Sequence, residues 1–171
     1  ATTNSVWPPC MFSRIKKFAL LGPEKQLLLL RIWLLLAWTR LRLLRKGVSH
    51  FTAGLTLHRT ILATAGISQE QREQAIELGR LVAIAARYTP WQSRCLTQVL
   101  VLQRLLAHRQ IPGFFSLGVR KAGGEDDDEP FNAHAWLQCG DAIVNGAVPG
   151  ATYTTLSTFS WGLHVSRHLP N

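Results

Sequence analysis

Cys95 and His134 have the residue types and the order from which thiol chemistry is built. A helix N-terminus carries a partial positive charge that stabilises anions, a setting that favours a nucleophilic thiol. Cys95 falls near such a terminus under either of two readings. Thr89-Pro90-Trp91-Gln92 offers a cap, a proline suited to the first helical position and a residue able to close a capping box. Ser93 is the alternative cap. His134 lies in a stretch that reads as a strand, between Ala133 and Ala135, whose small side chains leave room for a group to approach the ring. A neutral imidazole within reach of a thiol can take its proton and later deliver it to a departing amine. The plainer reading makes Cys95 a small core residue and His134 a structural one.

Other chemistries have little to work with. The remaining cysteines are Cys10 and Cys139; no two have the Cys-x-x-Cys spacing, and no His stands beside a Cys in a zinc pattern. We therefore expect neither a metal nor a cofactor. Cys139, between two apolar stretches, reads as an exposed turn thiol. Three widely spaced cysteines without a recognisable signal peptide fit a reducing compartment, so the expected location is cytoplasmic.

Charge is unevenly placed. The formal charge is +9, and residues 14–46 hold nine of the 19 Lys and Arg against one acid, Glu24. Residues 125–129 (Glu-Asp-Asp-Asp-Glu) hold five of the ten acids. No aromatic-rich basic strand or zinc-finger spacing points to nucleic acid, so none is expected as a partner. A basic segment is also compatible with transient contact at an anionic membrane surface. Residues 27–44 are Leu-rich, but Arg31, Arg40 and Arg42 interrupt them. A spanning helix needs about 20 mostly apolar residues, and a central Arg costs at least ~2.5 kcal/mol there. A buried or interfacial helix is the better reading.

The elements that must position Cys95 and His134 follow from periodicity and punctuation. Pro23 and Glu24 suit a first helical turn, and Arg45, Lys46 and Gly47 suit its end. This helix is apolar around most of its surface, so it expects partners on more than one side. Residues 48–67 are weakly patterned, with room for a short helix. Ser68-Gln-Glu-Gln71 is a capping box opening a helix to about Arg87, with Ile76, Leu78, Leu81, Val82 and Ile84 as its apolar set. The helix bearing Cys95 runs to about Arg109. Strands are then expected over 114–119, 131–138 and 142–148, the last two joined by Cys139-Gly140-Asp141 as a hairpin. Residues 123–130 read as a solvated acidic loop, and the Thr- and Ser-rich tail has no clear pattern. Helices first, then a helix on an antiparallel sheet, is an α+β order. Two regions are expected: residues 1–67, basic, Leu-rich and helical, and residues 68–171, the core.

The pieces Pro90-Trp91-x-x-x-Cys95-Leu96, Leu105-Leu106, Ile111, Leu117-Gly118-Val119 and Phe131-x-Ala133-His134-Ala135-Trp136-Leu137 resemble a known family. They look like the transglutaminase-like B proteins of lasso-peptide biosynthesis, the leader peptidases. The two most telling pieces, Trp-x-x-x-Cys-Leu and Ala-His-Ala-Trp, place their Cys and His 39 residues apart. The resemblance covers roughly residues 86–148, and the basic helix before it resembles the N-terminal part of free-standing members.

The resemblance implies a papain/transglutaminase-like core preceded by an N-terminal helical region. It implies a cysteine peptidase that cleaves a ribosomal precursor at its leader–core junction, with Cys95 as nucleophile and His134 as base. Implied partners are the precursor's leader, a small leader-recognition protein and an ATP-dependent macrolactam cyclase. A third catalytic residue is also implied, and here the chain departs from the pattern. The family often has Asn-Asp where this chain has Asn145-Gly146. Asn145 is the first candidate to orient the imidazole, as an Asn does in papain-like sites; Asp141, the nearest acid, is the alternative. Trp91 and Trp136 are candidates for the substrate cleft, although packing explains Trp91 equally well. Gln92, Gln98 or backbone N–H groups near Cys95 are candidate oxyanion donors. Two other activities stay open on the same core: transglutaminase-like amide transfer, and peptide binding by a catalytically dead site.

Overall fold

The computed structural model describes residues 22–58, 66–91, 93–121, 131–148 and 152–162. The expectations for Gln92 and for the acidic loop lie outside the described residues.

The first helix, α1, spans Pro23–Lys46. Pro23 fills its first turn without needing a donor, Glu24 complements the positive end, and Arg45 and Lys46 complement the negative end. Gly47 closes it at φ 71°, with its N–H on the Leu43 carbonyl. Leu29, Ile32, Leu36 and Thr39 form its buried face. One further turn, α2 (Ser49–Thr52), leads to a short strand, β1 (Thr56–His58).

The helix α3 runs from Gln69 to Arg87. Its capping box forms as expected: Gln71 N–H donates to Ser68 Oγ at 3.1 Å, and Ser68 N–H donates to Gln71 Oε1 at 3.1 Å. The buried face differs from the expected one. Ala75, Leu78, Gly79, Leu81, Val82, Ala85 and Ala86 are buried, whereas Ile76 is 46% exposed. Small residues take this face because α3 lies close against the sheet. A Cβ on Gly79 would collide with the carbonyl of Val144.

Helix α4 spans Cys95–His108, later than the Thr89 or Ser93 caps would start it. Arg94 is its N-cap residue and supplies no side-chain cap. Thr89 instead organises the preceding turn. Its hydroxyl lies 2.8 Å from the Ala86 carbonyl, 2.7 Å from the Trp91 carbonyl and 3.0 Å from Ser93 Oγ. Thr97, Val99, Leu100, Val101, Leu102 and Leu106 are buried along α4.

Four more strands follow: β2 (Gly113–Lys121), β3 (Phe131–Cys139), β4 (Ala142–Asn145) and β5 (Thr154–Trp161). With β1 they form one sheet in the order β1-β5-β2-β3-β4, every neighbouring pair antiparallel. The fold is thus α+β. The expected hairpin of β3 and β4 is present, but β4 stops at Asn145 because Gly146 turns out of the strand at φ 78°. The sheet also has two strands that periodicity did not show, β1 and β5. β5 lies between β1 and β2, and its register pairs Phe115 with Phe159, whose rings stack at 5.1 Å.

Helices α1, α3 and α4 pack on one another, and α3 and α4 cover the sheet. Phe115, Ala135, Leu137 and Cys139 face the resulting core and are essentially fully buried. Cys139 is therefore a core side chain and not an exposed turn thiol. Burial pushes its thiol from an ordinary 9.0 up to about 12. No helix among the described residues is long and apolar enough to cross a membrane.

Candidate active site

Cys95 is the first residue of α4 and is half-buried. The first turn of any helix leaves backbone N–H groups without a partner inside the helix. Here the N-cap residue, Arg94, gives them no side-chain partner. The sulfur thus starts its helix among backbone dipoles whose positive ends point outward. Gln98, one turn on, donates from Nε2 to the Ser93 carbonyl at 2.9 Å, which anchors the chain entering the helix.

His134 sits in β3 opposite Gly118 of β2. Side chains alternate along a strand, and the burial of β3 follows that alternation. Ala135, Leu137 and Cys139 are buried against the helices, while His134 and Trp136 project to the other side and are half-buried. There the imidazole is held among aromatic rings. It stacks on Tyr153 at 4.9 Å between centroids and on Trp136 at 6.3 Å. Gly118 makes this cluster fit, because a Cβ there would lie 2.9 Å from ring carbons of Trp136.

Among the described residues the ring has one hydrogen bond, between Nε2 and the carbonyl oxygen of Gly146 at 2.7 Å. A carbonyl has no proton to give, so Nε2 carries it and donates. The neutral ring then keeps its lone pair on Nδ1, the atom available as a base.

Asn145 precedes Gly146 and reaches the other way. Its Nδ2 donates to Gln98 Oε1 on α4, at 3.5 Å. The end of β4 therefore touches both the Cys95 helix and the imidazole. One residue holds the helix that begins with Cys95, and the next holds the imidazole. β4 pairs with β3 only from Leu137 to Cys139, so β3 has no β4 neighbour at His134. The helix that begins with Cys95 packs on the face of β3 that carries Ala135 and Leu137, whereas His134 lies on the opposite face with Trp136 and Tyr153. Among the described residues, no hydrogen bond joins the Cys95 sulfur to the ring.

The other candidates are placed as follows. Asp141 forms an exposed ion pair with Arg72 at 3.3 Å. Trp91 packs on Trp33 of α1, with ring centroids 5.3 Å apart, and Trp33 Nε1 donates to the Tyr88 carbonyl at 3.3 Å. Trp136 belongs to the aromatic group around His134. Tyr153 was not found by sequence reasoning. Nothing in its neighbourhood marks it, because it reaches the ring only through the register of β5. Gly146 was noted only as the place of a missing acid; its carbonyl carries no sequence signal at all. Among the described residues, no group of three His, Cys, Asp or Glu side chains could hold a metal ion.

Residues 34–158 match the model of the Transglutaminase-like superfamily. The chain belongs to that superfamily. The matched region runs from the middle of α1 to β5, so it takes in part of the basic helix as well as the helix-on-sheet core. No curated protein and no solved structure matches the chain. Its place in a transglutaminase-like, cysteine-protease-like fold therefore rests on the superfamily match and on its own architecture.

Proposed function

We propose that the protein is a cysteine peptidase that removes the leader from a lasso-peptide precursor before macrolactam closure. The observation that carries this reading is the double attachment at the end of β4. Asn145 contacts the Cys95 helix through Gln98, and Gly146 fixes the His134 tautomer that leaves the lone pair on Nδ1. The Trp-x-x-x-Cys-Leu and Ala-His-Ala-Trp pieces direct the reading toward a leader–core junction.

Catalysis begins when Nδ1 of His134 takes the Cys95 thiol proton. The sulfur attacks the carbonyl carbon of the scissile bond. Backbone N–H groups at the uncapped start of α4 face the developing oxyanion. As the C–N bond breaks, Nδ1–H protonates the departing amine of the core peptide. Water, losing a proton to the same nitrogen, then attacks the thioester; the C–S bond breaks and the leader leaves as a carboxylic acid. This sequence needs Nδ1 and Sγ in contact in the substrate complex, which requires the ring to leave the face it shares with Trp136 and Tyr153. Gly146 takes the orienting place that an acid or amide side chain fills elsewhere, and Asn145 acts through Gln98 as a positioning residue.

The test is cleavage of the cognate precursor by the purified chain, with the leader-recognition protein present, followed by mass spectrometry. A free leader carboxylate and a free core amine are expected, and Cys95→Ala should abolish both. A new amide in place of the carboxylate would instead establish amide transfer. Cleavage that survives Cys95→Ala would sink the proposal.

A further inference from the structure

We infer that α1 carries a second, outward-facing docking strip for an α-helix of another protein, apolar along its seam and acidic along its flanks. This goes beyond the proposed peptidase activity and does not depend on it.

Helix α1 uses Leu29, Ile32, Leu36 and Thr39 to pack on the core. On the opposite side Leu27, Leu30, Leu34, Leu41 and Leu44 are exposed, at 57%, 52%, 53%, 48% and 75%. Their spacing of three, four, seven and three residues is the a/d pattern of a coiled coil, with Ala37 at the intervening d position. On a helix of 3.6 residues per turn they form a single narrow stripe. A narrow a/d stripe fits between the ridges of one partner helix. A helix lying on a lipid surface instead presents a broad apolar face. The observations therefore favour a helix over a membrane.

Charge selects the kind of helix. Arg31, Trp38 and Arg45 recur at seven-residue intervals along one flank of the stripe, and both arginines are exposed. Flanking e and g positions set partner choice through charge. A second copy of α1 would bring arginine toward arginine, which disfavours self-pairing. Residues 1–21 of the same chain contain Arg14, Lys16 and Lys17 and no acid, so they repeat the same mismatch. A helix with Glu or Asp at its flanks meets the arginines with opposite charge.

The experiment uses the full chain and two designed 28-residue helical peptides with Leu at a and d. One carries Glu at e and g, the other Lys. Fluorescence anisotropy should show the Glu peptide binding at least tenfold more tightly than the Lys peptide, with the preference shrinking at high salt. The Leu34→Gln/Leu41→Gln double variant should weaken that binding at least tenfold. The Arg31→Glu/Arg45→Glu variant should reverse the preference. All these positions are exposed, and an unchanged circular dichroism melt confirms that each variant folds. Equal binding of both peptides, or binding of neither, overturns the inference. So does sedimentation showing a dimer that Leu34→Gln disperses, or association with phosphatidylglycerol vesicles without binding of the Glu peptide.

Discussion

His134 Nε2 and the Gly146 carbonyl oxygen lie 2.7 Å apart, and only the ring can be the donor. Gly146 sits at φ 78°, where a Cβ would meet the Ala135 carbonyl and come within 2.8 Å of Trp136 Cα. Restoring an acid at this position in the present backbone is therefore not sterically open. Gly146→Asp and Gly146→Ala should both destabilise the protein by roughly 1–3 kcal/mol. Both should lower precursor cleavage more than tenfold, because the carbonyl must move with the backbone. Urea unfolding and single-turnover cleavage measure the two effects separately.

The Asn145–Gln98 contact is 3.5 Å long, at the limit for a hydrogen bond. Its loss in Asn145→Ala should cost only about 0.5 kcal/mol of stability, the low end for such bonds. If Asn145 positions the Cys95 helix for the proposed cleavage, activity should nevertheless fall tenfold or more. Cleavage that falls only in proportion to stability would leave Asn145 a purely structural residue.

Gly79 tests whether close packing of α3 on β4 holds the end of that strand. In an open helix Gly→Ala gains roughly 0.5–1 kcal/mol. Here the new methyl would strike the Val144 carbonyl, next to Asn145. The sign should invert, to a loss of about 1–3 kcal/mol, and cleavage should weaken as β4 is displaced. Chemical denaturation of Gly79→Ala decides it.

The two described cysteines should separate in both reactivity and pH dependence. In a Cys10→Ser background, iodoacetamide at neutral pH should label half-buried Cys95 well before Cys139, read by peptide mass spectrometry. Cys139, held up to about 12 by burial, stays neutral in the folded chain while an unfolded chain ionises near 9.0. Its contribution to stability is thus complete below pH 9 and is lost as pH rises toward 12, by roughly 4 kcal/mol. Cys139→Ala should be less stable at neutral pH but show a shallower alkaline decline than the parent.

Much of this architecture was legible in the sequence wherever local chemistry decides it. Ser68 and Gln71 announced their capping box, Pro23 and Gly47 bounded α1, and the hairpin around Gly140 followed from turn residues. What escaped depends on contacts distant in sequence. β5 has Thr and Ser at many positions, and its strand character comes from pairing with β1 and β2. Ile76 reads as a core residue by hydrophobicity, yet the close approach of Gly79 to β4 gives the face to smaller neighbours. For the site, Cys95 and His134 stood out by type, but the ring's acceptor is a main-chain atom, and any residue supplies one.

The main-chain origin of that acceptor also bears on how the site can change over time. A side-chain carboxylate can be removed by one codon change; a carbonyl cannot. A carbonyl also does not ionise, so this acceptor adds no acid–base step of its own. What mutation can reach is the backbone path that presents the oxygen. The vulnerable residues are therefore the glycines and small side chains that shape that path, and not the atom that makes the bond.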